Sequence, residues 1–268
     1  MNPREELARL AVEVRAHAEW QMETGATGSG EGDPRSTVAG TSTNATTTTT
    51  TNANTTATTT ANTNTNTNTT APSNATTRLR LVELADEVRR CTKCGLHSAR
   101  TQTVFARGST DAELCFVGEG PGADEDRQGF PFVGKAGQLL DRMIAAMGFA
   151  RDDVYVCNIV KCRPPDNRKP EPDEMAACKP YLREQLELVA PKVIVALGAT
   201  AVEGLIGMSG GITRLRGQWK LYRTIPVMPT FHPAYLLRNP AAKREVWDDL
   251  QAVMKQLGRS VPPAGRSA

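Results

Sequence analysis

The residues of this chain best suited to chemistry are a set of spaced cysteines, a glycine-rich turn and one histidine. Cys91 and Cys94 form C-x2-C, and with Cys162 and Cys178 they give C-x2-C-x67-C-x15-C. The halves of a local zinc finger lie within one short segment, so thiols this far apart in sequence would instead clamp the edge of a domain. Four thiolates can hold zinc or a 4Fe-4S cluster, and spacing does not choose between them. Cys115 and Cys157 fall inside apolar runs and read as small buried hydrophobes. The turn is GEGPGADEDRQGFPFVGKAGQLLD, residues 118–141. Its composition is that of a phosphate cradle, yet both GxxxxGK[ST] and GxGxxG are missing, which sets nucleotide binding low. His232 opens the segment HPAYLLR, whereas His97, beside the C-x2-C pair, and His17 read as bystanders.

Something must hold these parts together, and composition limits what that is. The chain has 268 residues, but Thr41 to Thr77 is almost wholly Thr, Asn and Ala. Such a tract has too little apolar surface to offset the entropy of ordering it. One ordinary domain remains. We expect an amphipathic N-terminal helix within 1–25, a disordered tether over 26–78, a folded domain over 79–258 and a flexible tail over 259–268. The first helix, LARLAVEVRAH, is echoed by LVELADEVRRC, with Leu81, Leu84, Ala85 and Val88 at helical spacing. The N-terminus is charged and has no apolar run, so it does not read as a signal peptide or membrane span, and a cytoplasmic protein is expected. Cysteines of a reducing compartment read first as ligands, not as disulfides. From Leu79 onward there are 27 Lys/Arg against 22 Asp/Glu, a balance that suits a polyanionic partner without requiring one.

Short apolar runs alternate with helical periods through the domain. ELCFVGE precedes a helix from Gly137 to about Met147, and VYVCNIV one from about Pro172 to Val189. KVIVALG precedes a helix through Ala199 to Leu205, and IPVMPTF comes before a last helix from about Lys243 to Leu257. This alternation predicts an α/β fold, a three-layer α/β/α sandwich around a parallel sheet. Ligands of such sheets bind outside the carboxyl ends of the strands. Gly118 to Gly122, Asn158 to Cys162, Gly198 and Phe231 to Pro233 all fall at those ends.

GEGPG-x2-ED-x2-GFPFVGKAGQLLD, then NIVKCRPP, the four spaced cysteines and HPAYLLR closely resemble the family 4 uracil-DNA glycosylases, the iron-sulfur branch of that superfamily. The likeness runs from about Leu81 to Leu257, and the Thr/Asn tract departs from the family pattern. The resemblance implies a four-stranded parallel sheet, a 4Fe-4S cluster on Cys91, Cys94, Cys162 and Cys178, and excision of uracil from DNA.

An enzyme that acts on the bond between base and sugar must extrude the nucleotide and hold the base in a fitted pocket. Phe132 is the candidate to stack on the flipped ring, a contact worth about 1–3 kcal/mol. Asn158 can accept from uracil N3-H and donate to O4. His232 and the Gly120 amide are candidates to stabilise the departing anion. Related families carry an aspartate where this chain has Gly120, so Glu119 is the best carboxylate for positioning water or countering the cationic sugar. Glu125 is the candidate wall against the C5-methyl of thymine, and Asp126 a loop cap. Leu236 is expected to wedge into the emptied duplex and Arg238 to reach a phosphate, with Lys135, Lys161 and Arg163 as further phosphate contacts. A side branch of the superfamily binds uracil-DNA covalently through a histidine in an inserted basic loop. RPPDNRKPEPDEMAAC has no histidine, so turnover is expected, and without a lysine nucleophile strand cleavage is not. Uracil-containing DNA, single- or double-stranded, is the expected partner, and no membrane is. A monomer is expected, with the N-terminal segment as a candidate to recruit a replication or repair protein. The residues leave two alternatives, a non-catalytic DNA-binding module and a nucleotide-binding α/β protein.

Overall fold

The computed structural model describes residues 74–261. The expected N-terminal helix, the tether up to residue 73 and the tail beyond 261 lie outside those residues. Eight helices and six strands follow one another among the described residues: α1 Asn74–Arg89, β1 Arg107–Gly108, β2 Leu114–Gly118, α2 Ala123–Gln128, α3 Lys135–Ala146, β3 Tyr155–Asn158 and α4 Pro172–Val189, then β4 Val193–Leu197, α5 Ala199–Ile206, α6 Ile212–Leu215, β5 Lys220–Tyr222, β6 Ile225–Thr230, α7 Pro233–Arg238 and α8 Lys243–Gln256. None of these helices is long and apolar enough to cross a membrane.

The strands form one sheet in the order β1-β3-β2-β4-β6-β5. The inner four, β3, β2, β4 and β6, are parallel, as expected, while β1 and β5 pair antiparallel at the two edges. β2, β3 and β4 are buried at every residue, which explains their unbroken apolar sequences, since helices cover both faces. Alternate residues serve opposite layers. Leu114 and Phe116 of β2 join a core with Leu139, Leu140 and Met143 of α3 and Val246, Leu250 and Val253 of α8. Cys115 and Val117 face the other way, into a core with Leu182 and Leu186 of α4 and Ala201, Val202 and Leu205 of α5. Cys115 and Cys157 are thus core residues, as their apolar context predicts.

The folded region begins five residues before the boundary expected from composition. α1 starts at Asn74, and Thr77 is already buried beside Leu81, so helical packing overrides the Thr/Asn composition there. Further along, Leu84 and Val88 pack on Tyr181 of α4.

Candidate active site and thiol cavity

Four chain segments leave the carboxyl ends of β2, β3, β4 and β6 and meet around a cavity of about 500 Å3. Glu119, Gly120, Glu125, Phe132, Asn158, His232 and Arg238, all selected from sequence, line it. Glu119 and His232, over a hundred residues apart, therefore share one wall system large enough for a pyrimidine ring. Among the described residues, nothing bonds the Glu119 carboxylate, which leaves both its oxygens available to a ligand or water.

Asn158 is the last residue of β3 and is 2% exposed. Its Oδ1 is buried and has no hydrogen-bond partner. An unpaired buried amide oxygen forfeits about 1–3 kcal/mol, so such an atom on a cavity wall marks a place where a ligand N-H belongs. Gly118 makes room for it, because a Cβ there would collide with Oδ1 and lie 2.6 Å from Phe132 Cζ.

Phe132 stands beside Asn158 with a left-handed backbone, φ 56°. A bulky residue in that region costs about 1–3 kcal/mol and persists only where its surroundings enforce it. Two enforcers are visible. Gly137 lets the first turn of α3 approach so closely that any Cβ there would overlap the Phe132 carbonyl. Glu125 holds the following peptide units, Oε1 accepting from Val133 N at 2.9 Å and Gly134 N at 3.0 Å, while Oε2 accepts from Gly122 N at 3.1 Å. The carboxylate selected as a steric wall lines the cavity and also fastens the glycine loop to the phenylalanine loop. Asp126 caps in a similar way: it is buried and accepts from the Thr101 amide at 2.9 Å.

His232 is the N-cap of α7. Its Nδ1 accepts from Ala234 N at 3.1 Å, which fixes the neutral tautomer with the proton on Nε2. Burial pushes its pKa down to about 4, with the Arg238 charge adding to the effect and Glu125 opposing it. Near neutral pH the ring is therefore an uncharged hydrogen-bond donor. It lies 5.7 Å from the Phe132 ring, centroid to centroid, and at 31° to it.

The structure corrects two expected DNA contacts. Leu236 is completely buried in the core, because the short helix α7 turns it inward; Tyr235 and Leu237, at 37% and 43% exposure, are the large apolar side chains that α7 presents. Lys161 is likewise inaccessible, so it cannot touch a phosphate. Lys135 and Arg238 are exposed, Arg238 at the cavity itself, while Arg163 is half-buried with its Nε donating to Asn167 Oδ1 at 2.8 Å. Sequence reasoning missed Pro164, Asn167, Arg168 and Tyr235 on the cavity wall. Asp166-Asn167 gave a usable signal, since these two residue types tolerate the left-handed backbone that both adopt, φ 54° at each.

A second cavity is lined by Cys91, Cys94, Cys162 and Cys178 together with Lys161 and Arg100. The C-x2-C pair lies between α1 and a single 3-10 turn, Gly95–Ser98, Cys162 follows β3, and Cys178 is on α4. Residues remote in sequence thus reach one place, though among the described residues no three His, Cys, Asp or Glu side chains converge as ligands of a single ion would. Burial raises the Cys178 thiol to about 11 and also raises Cys162, with Lys161 and Arg100 respectively working against it. Arg100 Nη1 donates to Cys162 Sγ at 3.1 Å. Soft donors gathered in one recess suit a thiolate-held metal group.

Known proteins extend this geometry. The model of the uracil DNA glycosylase superfamily matches residues 105–251. The chain is 48% identical over 182 residues to the type-4 uracil-DNA glycosylase of Thermotoga maritima, an alignment that spans 65% of this chain and 94% of that one. It is 43% identical over 183 residues to the type-4 uracil-DNA glycosylase of Saccharolobus solfataricus, across 65% and 85% of the two chains. The type-5 uracil-DNA glycosylase of Pyrobaculum aerophilum is more distant, 33% identical over 149 residues and matched over 66% of its length.

Proposed function

The chain belongs to the uracil-DNA glycosylase superfamily, alongside its type-4 members, and from that premise we propose how its own residues excise uracil from DNA. It is a hydrolase of N-glycosidic bonds acting in DNA repair. The observation that carries the site assignment is Asn158, a buried strand-end amide with an unpaired Oδ1, on the wall of a ring-sized cavity. Uracil N3-H supplies the missing donor, and the Asn158 amide N-H donates to O4. Phe132 stacks on the everted base. The Glu125 clamp keeps Phe132 in its strained conformation, so the aromatic face is in place before the base arrives.

Water is the nucleophile. Its oxygen bonds to C1′ as the bond from C1′ to N1 breaks, and the electron pair leaves with uracil. Glu119, whose carboxylate is otherwise unengaged, orients the water and takes its proton. Negative charge on uracil gathers at O2, where the Nε2-H of neutral His232 and the Gly120 amide donate. A neutral imidazole suits this role because it stabilises the anion at no cost in protonation. Arg238 and Lys135 face DNA phosphates, and Leu237 with Tyr235 replaces Leu236 as the apolar pair that enters the emptied stack.

We assign Cys91, Cys94, Cys162 and Cys178 to a 4Fe-4S cluster, which when bound supplies a rigid, negatively charged staple between α1, the end of β3 and α4. The protein works as a monomer in the cytoplasm on single- or double-stranded uracil-DNA, and its N-terminal segment is left to recruit a partner. Purified protein incubated with uracil-containing oligonucleotides and then treated with alkali tests the activity. Cleaved product only after alkali is expected; tight binding with no alkali-labile site would refute it.

A further inference from the structure

Lys161 has no access to solvent and no part in the chemistry above. Its Nζ donates to the Asn158 carbonyl oxygen at 2.7 Å. The same side chain lines the four-cysteine cavity, and the residue's carbonyl accepts from Val104 N at 2.8 Å. The peptide between the two cavities is only residues 158–162, held against the glycine loop by Ile159 N to Gly118 O at 2.9 Å and Val160 N to Glu119 O at 3.2 Å.

A buried ammonium is costly unless compensated, and one carbonyl meets only one of its three donors. Lys161 also lines the thiol cavity, where thiolates around a bound cluster would supply the opposite charge. We propose that Lys161 is a positioning residue that couples the two sites: held from the cluster side, it pins the backbone of Asn158 and so fixes the amide that reads the base. The inference rests on the readings that uracil occupies the larger cavity and a thiolate-held cluster the smaller one.

The test compares the cluster-loaded wild type with Lys161→Met and Lys161→Gln. Two quantities are read: inhibition of excision by free uracil, and the lifetime of the visible cluster absorption under air. K161M keeps the aliphatic stem but loses donor and charge, so about tenfold weaker inhibition by uracil and a several-fold shorter cluster lifetime are expected. K161Q restores a donor without charge. It should recover uracil inhibition to within about threefold of wild type but not the cluster lifetime. Wild-type behaviour of K161M in either readout would overturn the coupling, and should K161M fail to fold, an unchanged cluster lifetime in K161Q would do the same. A wild type that neither excises uracil nor is inhibited by it would instead remove the functional reading beneath.

Discussion

The neutral state of His232 has a thermodynamic consequence that can be worked out and measured. Its pKa stands at about 4 in the folded protein, where burial and the Arg238 charge both disfavour the cation, against roughly 6.5 in an unfolded chain. Between these values the unfolded state binds more protons than the folded state, so stability rises with pH across the window. The histidine imposes no penalty above its unfolded pKa. As pH falls through 6.5 the penalty grows, and it levels off below the folded value. Integrating the linkage relation from pH 7.5 to 5.0 gives about 2 kcal/mol lost through this one ring. The perturbation that isolates it is His232→Gln, which can still accept from Ala234 N and donate into the cavity but cannot titrate. Urea denaturation of both proteins at pH 7.5 and 5.0 yields four stabilities. The wild type should lose about 2 kcal/mol more than the variant over that interval. Equal losses would mean that the folded imidazole takes up its proton as readily as the unfolded one, and the claim that burial and Arg238 hold it neutral would fall.

Asn158→Ala removes the amide proposed to read the base and should lower kcat/KM on uracil-DNA by about 10- to 100-fold, while the melting temperature does not fall because the unpaired Oδ1 goes too. Glu119→Gln should reduce kcat by about 10²- to 10⁴-fold and leave binding of uracil-DNA nearly unchanged in a gel-shift titration. Leu236→Ala should cost about 2–5 kcal/mol of stability by calorimetry, whereas Leu237→Ala should leave stability alone and slow excision from double-stranded more than from single-stranded substrate. Glu125→Gln replaces the acceptor shared by Gly122, Val133 and Gly134; kcat/KM should fall through a loosened Phe132, seen as faster proteolysis of the 129–134 loop.

The four inner strands were legible because burial on both faces leaves a continuous apolar run, and VIVAL or LCFVG has no other economical reading. The long helices declared themselves by period, and α4 begins at Pro172 and ends at Val189, as expected from sequence. Edge strands of two and three residues carry no such signal: β1 is Arg107–Gly108, and its buried arginine reads as a surface residue until Asp141 is seen to pair with it. Seven of the residues singled out by motif do line one cavity, but side-chain orientation was not legible. HPAYLLR offers two adjacent leucines, and which one is buried depends on how the six-residue helix α7 is rotated against α3, a fact set by packing far along the chain. Lys161 misled for a related reason, since a lysine is almost always exposed and its burial, with Nζ donating to the Asn158 carbonyl, shows only in the structure.

The glycine loop poses the sharper question of why a turn with the look of a phosphate cradle serves a different ligand. A cradle presents unpaired amides at the start of a helix and a cation nearby. Here the helix that follows, α2, is six residues long and carries Asp124, Glu125 and Asp126 in its first turn, a field that repels phosphate. Its leading amide, Gly122 N, is already committed to Glu125. The missing side chains at Gly118 and Gly137 instead leave space for bulky neighbours: Asn158 and Phe132 occupy what a Cβ at Gly118 would fill, and the Phe132 carbonyl occupies what one at Gly137 would fill. Glycine in this loop is thus a means of bringing the Asn158 and Phe132 side chains into contact with the backbone. A Gly118→Ala variant should therefore lose uracil recognition through displaced Asn158 and Phe132, and its defect should be as large on a single-stranded oligonucleotide as on a duplex, because the fault lies with the base and not with the phosphates.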